Sequence, residues 1–117
     1  IRQLRRDLLR RRMMAEVPKA TVVVTNPTHY AVALRYEAAT MAAPVLVAKG
    51  VDHMALTIRE VARRHAVPVV ENPPLARALH AALEPGQSVP PAHYQAVAEL
   101  IAYVWRLAHT RGDGRPG

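Results

Sequence analysis

The tetrapeptide Asn26-Pro27-Thr28-His29 combines residue types that can break a peptide bond. The side-chain amide nitrogen of an asparagine can attack its own main-chain carbonyl carbon, which closes a succinimide ring and expels the nitrogen of the next residue. Proline has no backbone N–H, so the rival reaction, in which that N–H attacks the side chain, is closed at Pro27. An amide nitrogen is a weak nucleophile, so the fold must hold Asn26 near the attacking geometry while a neighbouring group moves protons. Thr28 and His29 offer an orienting hydroxyl and an imidazole for that work.

The ordinary interpretation of the same residues is a turn, because Asn-Pro is a common turn dipeptide. Apolar, β-branched segments lie on both sides of it, ATVVVT at 20–25 and YAVALRY at 30–36. Such short segments predict two strands. A hairpin that holds a strained turn between its strands is compatible with both interpretations.

Other reaction chemistry has little support in the sequence. The chain has no cysteine, and its six histidines show neither an HxH pattern nor an i,i+4 pair, so metal-ligand spacing is absent. Ser88 is the only serine and has no nucleophile-elbow glycines around it. Gly50 is isolated and indicates a turn rather than a phosphate-binding loop. We therefore expect no metal site and no cofactor.

Further along the chain, hydrophobic periodicity predicts two more strands and four helices. The strands are expected at 44–48 and 67–71, and the helices at 2–15, 52–65, 75–83 and 91–108. Asp52 and Asn72 suit the caps of the second and third helices. The predicted fold is α/β: a small four-stranded mixed sheet, wrapped by helices, with a βαβ unit in which the third and fourth strands form a parallel pair.

The length of 117 residues suits one domain, and a hydrophobic content of 50% suits a packed core. The net charge of +7 is uneven: residues 1–12 contain six arginines and one aspartate. An arginine-rich helix binds nucleic acid in some proteins and lies beside membrane spans in others, and the second interpretation is favoured because no base-reading motif accompanies it. No apolar run approaches the ~20 residues of a membrane span, so we expect the chain itself to be soluble. Its start at Ile1 suggests a piece of a longer protein.

Three segments carry a family resemblance that runs from about Arg10 to Leu107. They are RRRMMAEVPKATVVVTNPTHYAVALRYE, APVLVAKGVDHMALTIRE and VPVVENPPLARALHAALEPGQSVPP. Together they resemble the cytoplasmic domain of the FlhB/SctU family, the self-cleaving export-switch proteins of bacterial flagella and type III secretion injectisomes. The arginine arm, HYAVALRYE and AYVWRL are more similar to the flagellar branch, and the injectisome branch is the alternative.

The resemblance implies a bundle of membrane spans before this chain and a place at the cytoplasmic face of the bacterial inner membrane. It implies a basic connector helix and linker at 1–19, a self-cleaving domain at 20–110 and a disordered tail at 111–117. By position in the motif, Asn26 attacks itself, Pro27 becomes a new N-terminus, and Thr28 and His29 assist. The pieces stay associated through one sheet. Cleavage permits a change of exported substrate class, from hook to filament subunits, when a hook-length ruler protein docks. Other implied partners are export-gate membrane components and export substrates, and a cut made once without turnover is not enzymatic.

A partner surface is expected where the sequence places apolar residues in a loop. Ala42, Ala43 and Pro44 form such a stretch, and we expect export cargo or the ruler protein to touch it together with Ala98 and Ile101 on the last helix. The alternative is that these residues simply pack on the domain.

Two alternatives to the whole functional interpretation remain: a small nucleic-acid-binding domain with an arginine-rich arm, and an α/β scaffold that does not cleave.

Overall fold

The helices and strands of the chain follow the predicted order. The computed structural model describes residues 1–27 and 29–109. The helices are α1 (Arg2–Glu16), α2 (Asp52–Arg64), α3 (Pro73–Ala82) and α4 (Tyr94–Ala108), and the strands are β1 (Val22–Asn26), β2 (Tyr30–Arg35), β3 (Val45–Val51) and β4 (Val69–Glu71). Short 3₁₀ turns at Val17–Lys19 and Pro91–His93 follow α1 and precede α4. The predicted mixed four-stranded sheet wrapped by helices is confirmed.

The sheet has the strand order β3-β2-β1-β4, with β1 and β2 forming an antiparallel hairpin and β4 parallel to β1. The prediction that β3 and β4 are adjacent, hydrogen-bonded strands is wrong. They run in the same direction and are joined by α2, but they occupy opposite edges, so the connection passes over β2 and β1. The reason is that the β1–β2 hairpin fills the middle of the sheet, and periodicity does not identify a strand's partner.

Both faces of the hairpin are buried, which explains its almost continuous run of apolar residues. Val22, Val24 and Leu34 contribute to a core under α3 and α4. Val23 and Ala33 contribute to a second core, under α2 and the turn that follows α1. The end of β1 is therefore fixed between two packed layers.

Helix α1 carries the arginine-rich segment and lies largely in solvent. It has no buried residue, and Leu4 and Leu8 on it are 62% and 51% exposed. At its C-terminal end Met13 and Met14 pack against the α2-side core. Across residues 1–27 and 29–109, no helix is long and apolar enough to cross a membrane. The division of the chain at 19 and 110 stays a prediction, and residues 111–117 lie outside the described part.

Candidate functional site

Three residues of the Asn-Pro-Thr-His motif, Asn26, Pro27 and His29, lie where the hairpin reverses. Asn26 is the last residue of β1 and pairs with Tyr30, the first residue of β2. Asn26 and Pro27 are half-buried, whereas His29 is exposed. Thr28 lies outside the described residues. The structure thus brings Asn26, Pro27 and His29 together in one turn between two buried strands, which we call the β1–β2 turn (residues 26–29).

The main-chain carbonyl of Asn26 accepts a hydrogen bond from the backbone N–H of His29, at 2.8 Å. In the predicted cleavage, this carbonyl carbon is the atom that the Asn26 side-chain amide would attack, and negative charge would develop on its oxygen. A backbone N–H directed at that oxygen is the kind of donor that stabilises such a charge.

The neighbouring carbonyls are held by groups from elsewhere in the chain. The carbonyl of Thr25 accepts from the N–H of Asn72 at 2.9 Å, and the carbonyl of His29 accepts from the N–H of Asp52 at 3.0 Å. The carbonyl of Pro27 accepts from a guanidinium Nη1 of Arg59 in α2. Backbone on both sides of the Asn26–Pro27 bond is thus tied to the end of β4 and to α2.

Sequence reasoning missed these three contributors because they lie 23 or more positions from the carbonyls that they bind. Asp52 and Asn72 were identified as helix caps, and for Asn72 that prediction is confirmed, since its side chain accepts from the N–H of Leu75 at 3.3 Å. For Asp52 it is wrong: α2 has no side-chain cap, and Asp52 has a φ of 47°. That left-handed φ, which aspartate and asparagine adopt more readily than most residues other than glycine, accompanies the hydrogen bond to His29.

The imidazole of His29 lies beside the start of α2. Its Nδ1 is 3.7 Å from Oδ1 of Asp52, and the two side chains are 66% and 78% exposed. At this exposure the pairing contributes little to stability. An imidazole open to water next to the turn is suited to carry protons between solvent and the reacting groups.

Helix α2 reaches the turn because β3 lets it approach closely. A Cβ added at Gly50 would lie 2.3 Å from Cγ and 2.8 Å from Cβ of Met54, in the first turn of α2. A side chain at position 50 would therefore push the helix away from the sheet. The turn predicted at Gly50 is wrong: β3 continues to Val51 and Gly50 pairs with Ala31, so the glycine has a packing role inside the strand.

A cut in the β1–β2 turn would leave the strands of the sheet hydrogen-bonded to one another. Strand β1 lies between β2 and β4, and both of these follow the turn in the sequence. Five residue pairs join β1 to β2 and three join it to β4. The segment before the turn is consequently the inner strand of a sheet whose other strands come after it.

A second feature is an apolar groove of about 310 Å³ between the loop after β2 and helix α4. It is lined by Tyr36, Ala42, Ala43, Pro44, Tyr94, Ala98, Ile101, Ala102 and Trp105. All five residues predicted as a partner surface lie in this lining. Ile101 is only 3% exposed and belongs to the core as well, whereas Tyr94 is 46% exposed. That a partner occupies the groove stays a prediction.

Lys49 and His80 form a polar contact on the α3 side. The Lys49 ammonium donates to the carbonyl of His80 at 2.9 Å and to a carboxylate oxygen of Glu84 at 3.2 Å, and the ring of Tyr30 meets that of His80 edge-on. Burial, and secondarily the charge of Lys49, lowers the pKa of His80 below its usual 6.5. Among the described residues, no group of three or more histidine and acidic side chains could hold a metal ion.

Comparison with known proteins gives consistent matches over nearly the whole chain. A family profile described as "FlhB HrpN YscU SpaS Family" matches residues 1–104. The flagellar biosynthetic protein FlhB of Bacillus subtilis is 55% identical over 106 residues, which are 91% of this chain and 29% of that protein. FlhB of Salmonella typhimurium is 54% identical over 118 residues, 99% of this chain and 31% of that protein. The chain thus spans about a third of the length of these relatives.

Solved structures agree with the sequence matches. The cytoplasmic domain of FlhB from Shewanella putrefaciens has a TM-score of 0.83 at 48% identity, covering 92% of this chain and 84% of that one. A mutated EscU C-terminal domain has a TM-score of 0.76 at 34% identity, covering 79% of this chain and 92% of that one. The fold is shared with both, and the sequence is nearer to the flagellar protein.

Proposed function

The chain belongs to the FlhB HrpN YscU SpaS family, in its flagellar FlhB branch, and from that premise we propose that it is the switch domain of a flagellar protein-export apparatus, which cuts its own backbone between Asn26 and Pro27. The observation that carries the proposal is the β1–β2 turn itself. An Asn-Pro bond sits there with its carbonyl bound by the His29 N–H, between two buried strands.

The bond change balances within the chain. The Asn26 side-chain nitrogen forms a bond to the Asn26 main-chain carbonyl carbon, and the bond from that carbon to the Pro27 nitrogen breaks. The proton lost by the amide nitrogen ends on the Pro27 nitrogen, which leaves as a secondary amine. The products are a fragment that ends in a succinimide at residue 26 and a fragment that begins at Pro27; water later opens the succinimide.

Each residue of the motif has a distinct part in this step. The His29 N–H stabilises the oxyanion on Asn26, and the His29 imidazole carries the proton from the amide towards the proline nitrogen. Pro27 removes the competing backbone nucleophile. Thr28 assists as an orienting hydrogen-bond partner. Because each molecule consumes its own bond once, the chain is not a turnover enzyme.

The cut is proposed to act as a switch in protein export. The severed β1 stays between β2 and β4, so the fragments remain one domain while the turn gains two free ends. After the cut, the two ends at the β1–β2 turn can adopt conformations that the intact turn cannot. In a flagellar apparatus this permits the change from hook to filament substrates when the ruler protein docks. The equivalent role in a virulence injectisome is the alternative within the same family.

The similarity to flagellar export proteins supports a proposal about where the domain is placed in the cell. We propose that α1, with its arginines, connects to membrane spans and places the domain at the cytoplasmic face of the bacterial inner membrane, beside other export-gate components. Nucleic acid is not a proposed partner.

Export cargo or the ruler protein is proposed to dock in the apolar groove. The support is its apolar lining, which Ala43 and Pro44 of the loop share with Ala98 of α4, and in which Tyr36 and Trp105 stack with ring centroids 6.4 Å apart. A groove of a few hundred Å³ accommodates a few apolar side chains of an extended segment.

Denaturing mass spectrometry tests the cut in one step. The purified wild-type chain should give two masses, for residues 1–26 and 27–117, while an Asn26→Ala chain gives one. Native gel filtration of the same wild-type sample should show a single species of full size. A wild-type chain that stays whole after prolonged incubation contradicts the proposal.

A further inference from the structure

The structure points to Arg59 as a positioning residue for the break at Asn26–Pro27. This inference deepens the proposed function and rests on it. Arg59 lies in the second turn of α2, and its guanidinium donates through Nη1 to the carbonyl of Pro27, the first carbonyl after the bond to be broken. The contact joins residues 32 positions apart. A long-range contact at this bond suggests a role in cleavage beyond the stability of the helix.

The burial of the guanidinium supports a specific role. Arg59 is half-buried although it sits on a helix whose other arginines, Arg63 and Arg64, are exposed. Among the described residues, its Nε is a buried side-chain nitrogen with no hydrogen-bond partner. Buried polar groups are nearly always paired, so an unpaired one in a native fold calls for an explanation. Here the guanidinium has left water to reach one backbone oxygen of the β1–β2 turn.

Arg59 and Asp52 both bind the turn from α2. Asp52 is the first residue of the helix and acts through its backbone N–H, and Arg59, seven residues further on, acts through its side chain. The Asp52 N–H binds the carbonyl of His29, and Arg59 binds the carbonyl of Pro27. Helix α2 therefore holds the backbone carbonyls of both Pro27 and His29.

These contacts restrain the atoms next to the bond to be broken. The proline ring sets φ of Pro27, and the hydrogen bond from Arg59 to its carbonyl oxygen restrains ψ. The Asp52 contact restrains His29, and together the two contacts keep the His29 N–H directed at the Asn26 carbonyl, where negative charge develops. A misplacement of about 1 Å at a reacting centre can slow a reaction about a hundredfold. Arg59 thus acts through the geometry of the turn and not by touching the Asn26 amide.

The test compares refolding chains that start uncut. Wild type, Arg59→Ala and Arg59→Lys are purified uncut from inclusion bodies in urea and refolded, and the uncut fraction is followed by denaturing mass spectrometry. Arg63→Ala, which removes an exposed arginine from the same helix, is the matched control. Folding is checked separately by thermal denaturation of each variant with Asn26→Ala added, so that cleavage does not affect the transition.

We expect both Arg59 variants to fold and to cleave about tenfold to a hundredfold more slowly than wild type, while Arg63→Ala cleaves at the wild-type rate. Lysine should not substitute, because its ammonium lacks the planar guanidinium fork. Millimolar guanidinium, well below denaturing concentrations, should restore part of the rate in Arg59→Ala and leave wild type unchanged. A structural role alone would not give that rescue.

Two results overturn the inference. One is a folded Arg59→Lys or Arg59→Ala chain that cleaves as fast as wild type. The other is slow cleavage that follows loss of folding in proportion and does not respond to guanidinium. Failure of wild type itself to cleave is a different outcome, which overturns the proposed function.

Discussion

Replacement of Gly50 by alanine should slow cleavage although position 50 lies on a different strand from the cut. The added Cβ would lie 2.3 Å from Met54 Cγ, 2.8 Å from Met54 Cβ and 3.2 Å from the Met54 carbonyl carbon. Rotation of the methionine side chain relieves only the first of these contacts. Ordinary contact begins at about 3.4 Å, so the first turn of α2 must withdraw from β3 by several tenths of an ångström.

That movement reaches the turn through Asp52, whose N–H holds the carbonyl of His29 at 3.0 Å. Overpacking of this kind costs about 1–3 kcal/mol of stability. The same shift misaligns the reacting atoms, and we expect cleavage about tenfold or more slower. The rate is measured by denaturing mass spectrometry after refolding, and stability by thermal denaturation of the Asn26→Ala form.

Gly86→Ala is the matched control. Gly86 has a φ of +95°, so alanine there is strained, but nothing lies within 4 Å of the added Cβ, and its N–H bonds Leu46 near the other end of β3. It should lower stability by about 1 kcal/mol and leave the cleavage rate unchanged. If Gly50→Ala matches wild type in both stability and rate, the reasoning about α2 is refuted. If Gly86→Ala slows cleavage as much as Gly50→Ala, the effect comes from stability alone.

Three further outcomes are expected. Pro27→Ala should cleave much more slowly, because it readmits the backbone N–H that competes for the Asn26 side chain; mass spectrometry after refolding would show the uncut chain persisting, and cleavage at the wild-type rate would contradict this. Ala43→Asp should leave cleavage unchanged and reduce export of hook-class substrates, since a carboxylate in the apolar groove opposes burial of apolar cargo; normal export in cells would contradict cargo docking there. Because burial lowers the pKa of His80 in the fold, the unfolded chain binds that proton more readily, so stability is fully present above about pH 6.5 and falls as pH drops below it. Urea denaturation of His80→Gln should show a smaller loss over the same range, and an identical loss would contradict it.

Much of the fold could be predicted from the sequence because its elements are marked locally. The β-branched run before Asn26 and the apolar run after Pro27 define the hairpin, and Pro73 with Asn72 defines the start of α3. These signals depend on residues that are neighbours in the chain. Pairing between distant strands does not depend on such neighbours, and the expected β3–β4 pair was wrong because β4 pairs with the free edge of β1.

In the candidate site too, some residues could be predicted from the sequence and others could not. The motif at the β1–β2 turn could be identified from bond chemistry alone, because Asn-Pro defines which bond can break and which competing reaction is closed. The contributions of Asp52 and Arg59 could not, since an aspartate at a helix start and an arginine on a helix face are ordinary solvent-exposed patterns. Only the position of α2 above the turn shows that one backbone N–H and one guanidinium hold it.

The apolar groove was partly predictable. Ala42, Ala43 and Pro44 form an apolar stretch in a loop, and the structure places them opposite Ala98 and Ile101. The aromatic walls, Tyr36 and Trp105, were not identified, because their stacking joins residues far apart in the sequence. Ile101 is both buried in the core and part of the groove lining, because the helix turns that residue towards both.

The central claim is that Asn26 cuts the chain with its own side chain, and the chemical state of the first fragment's C-terminus tests it most directly. The uncut chain is refolded from denaturant, and the fragment ending at residue 26 is analysed by mass spectrometry at early times. The account predicts a fragment lighter by one water than the free acid, which is the succinimide, followed by a mixture of asparagine and isoasparagine ends as water opens the ring. A fragment that ends only in ordinary asparagine at every time, or no cut between Asn26 and Pro27, would contradict it.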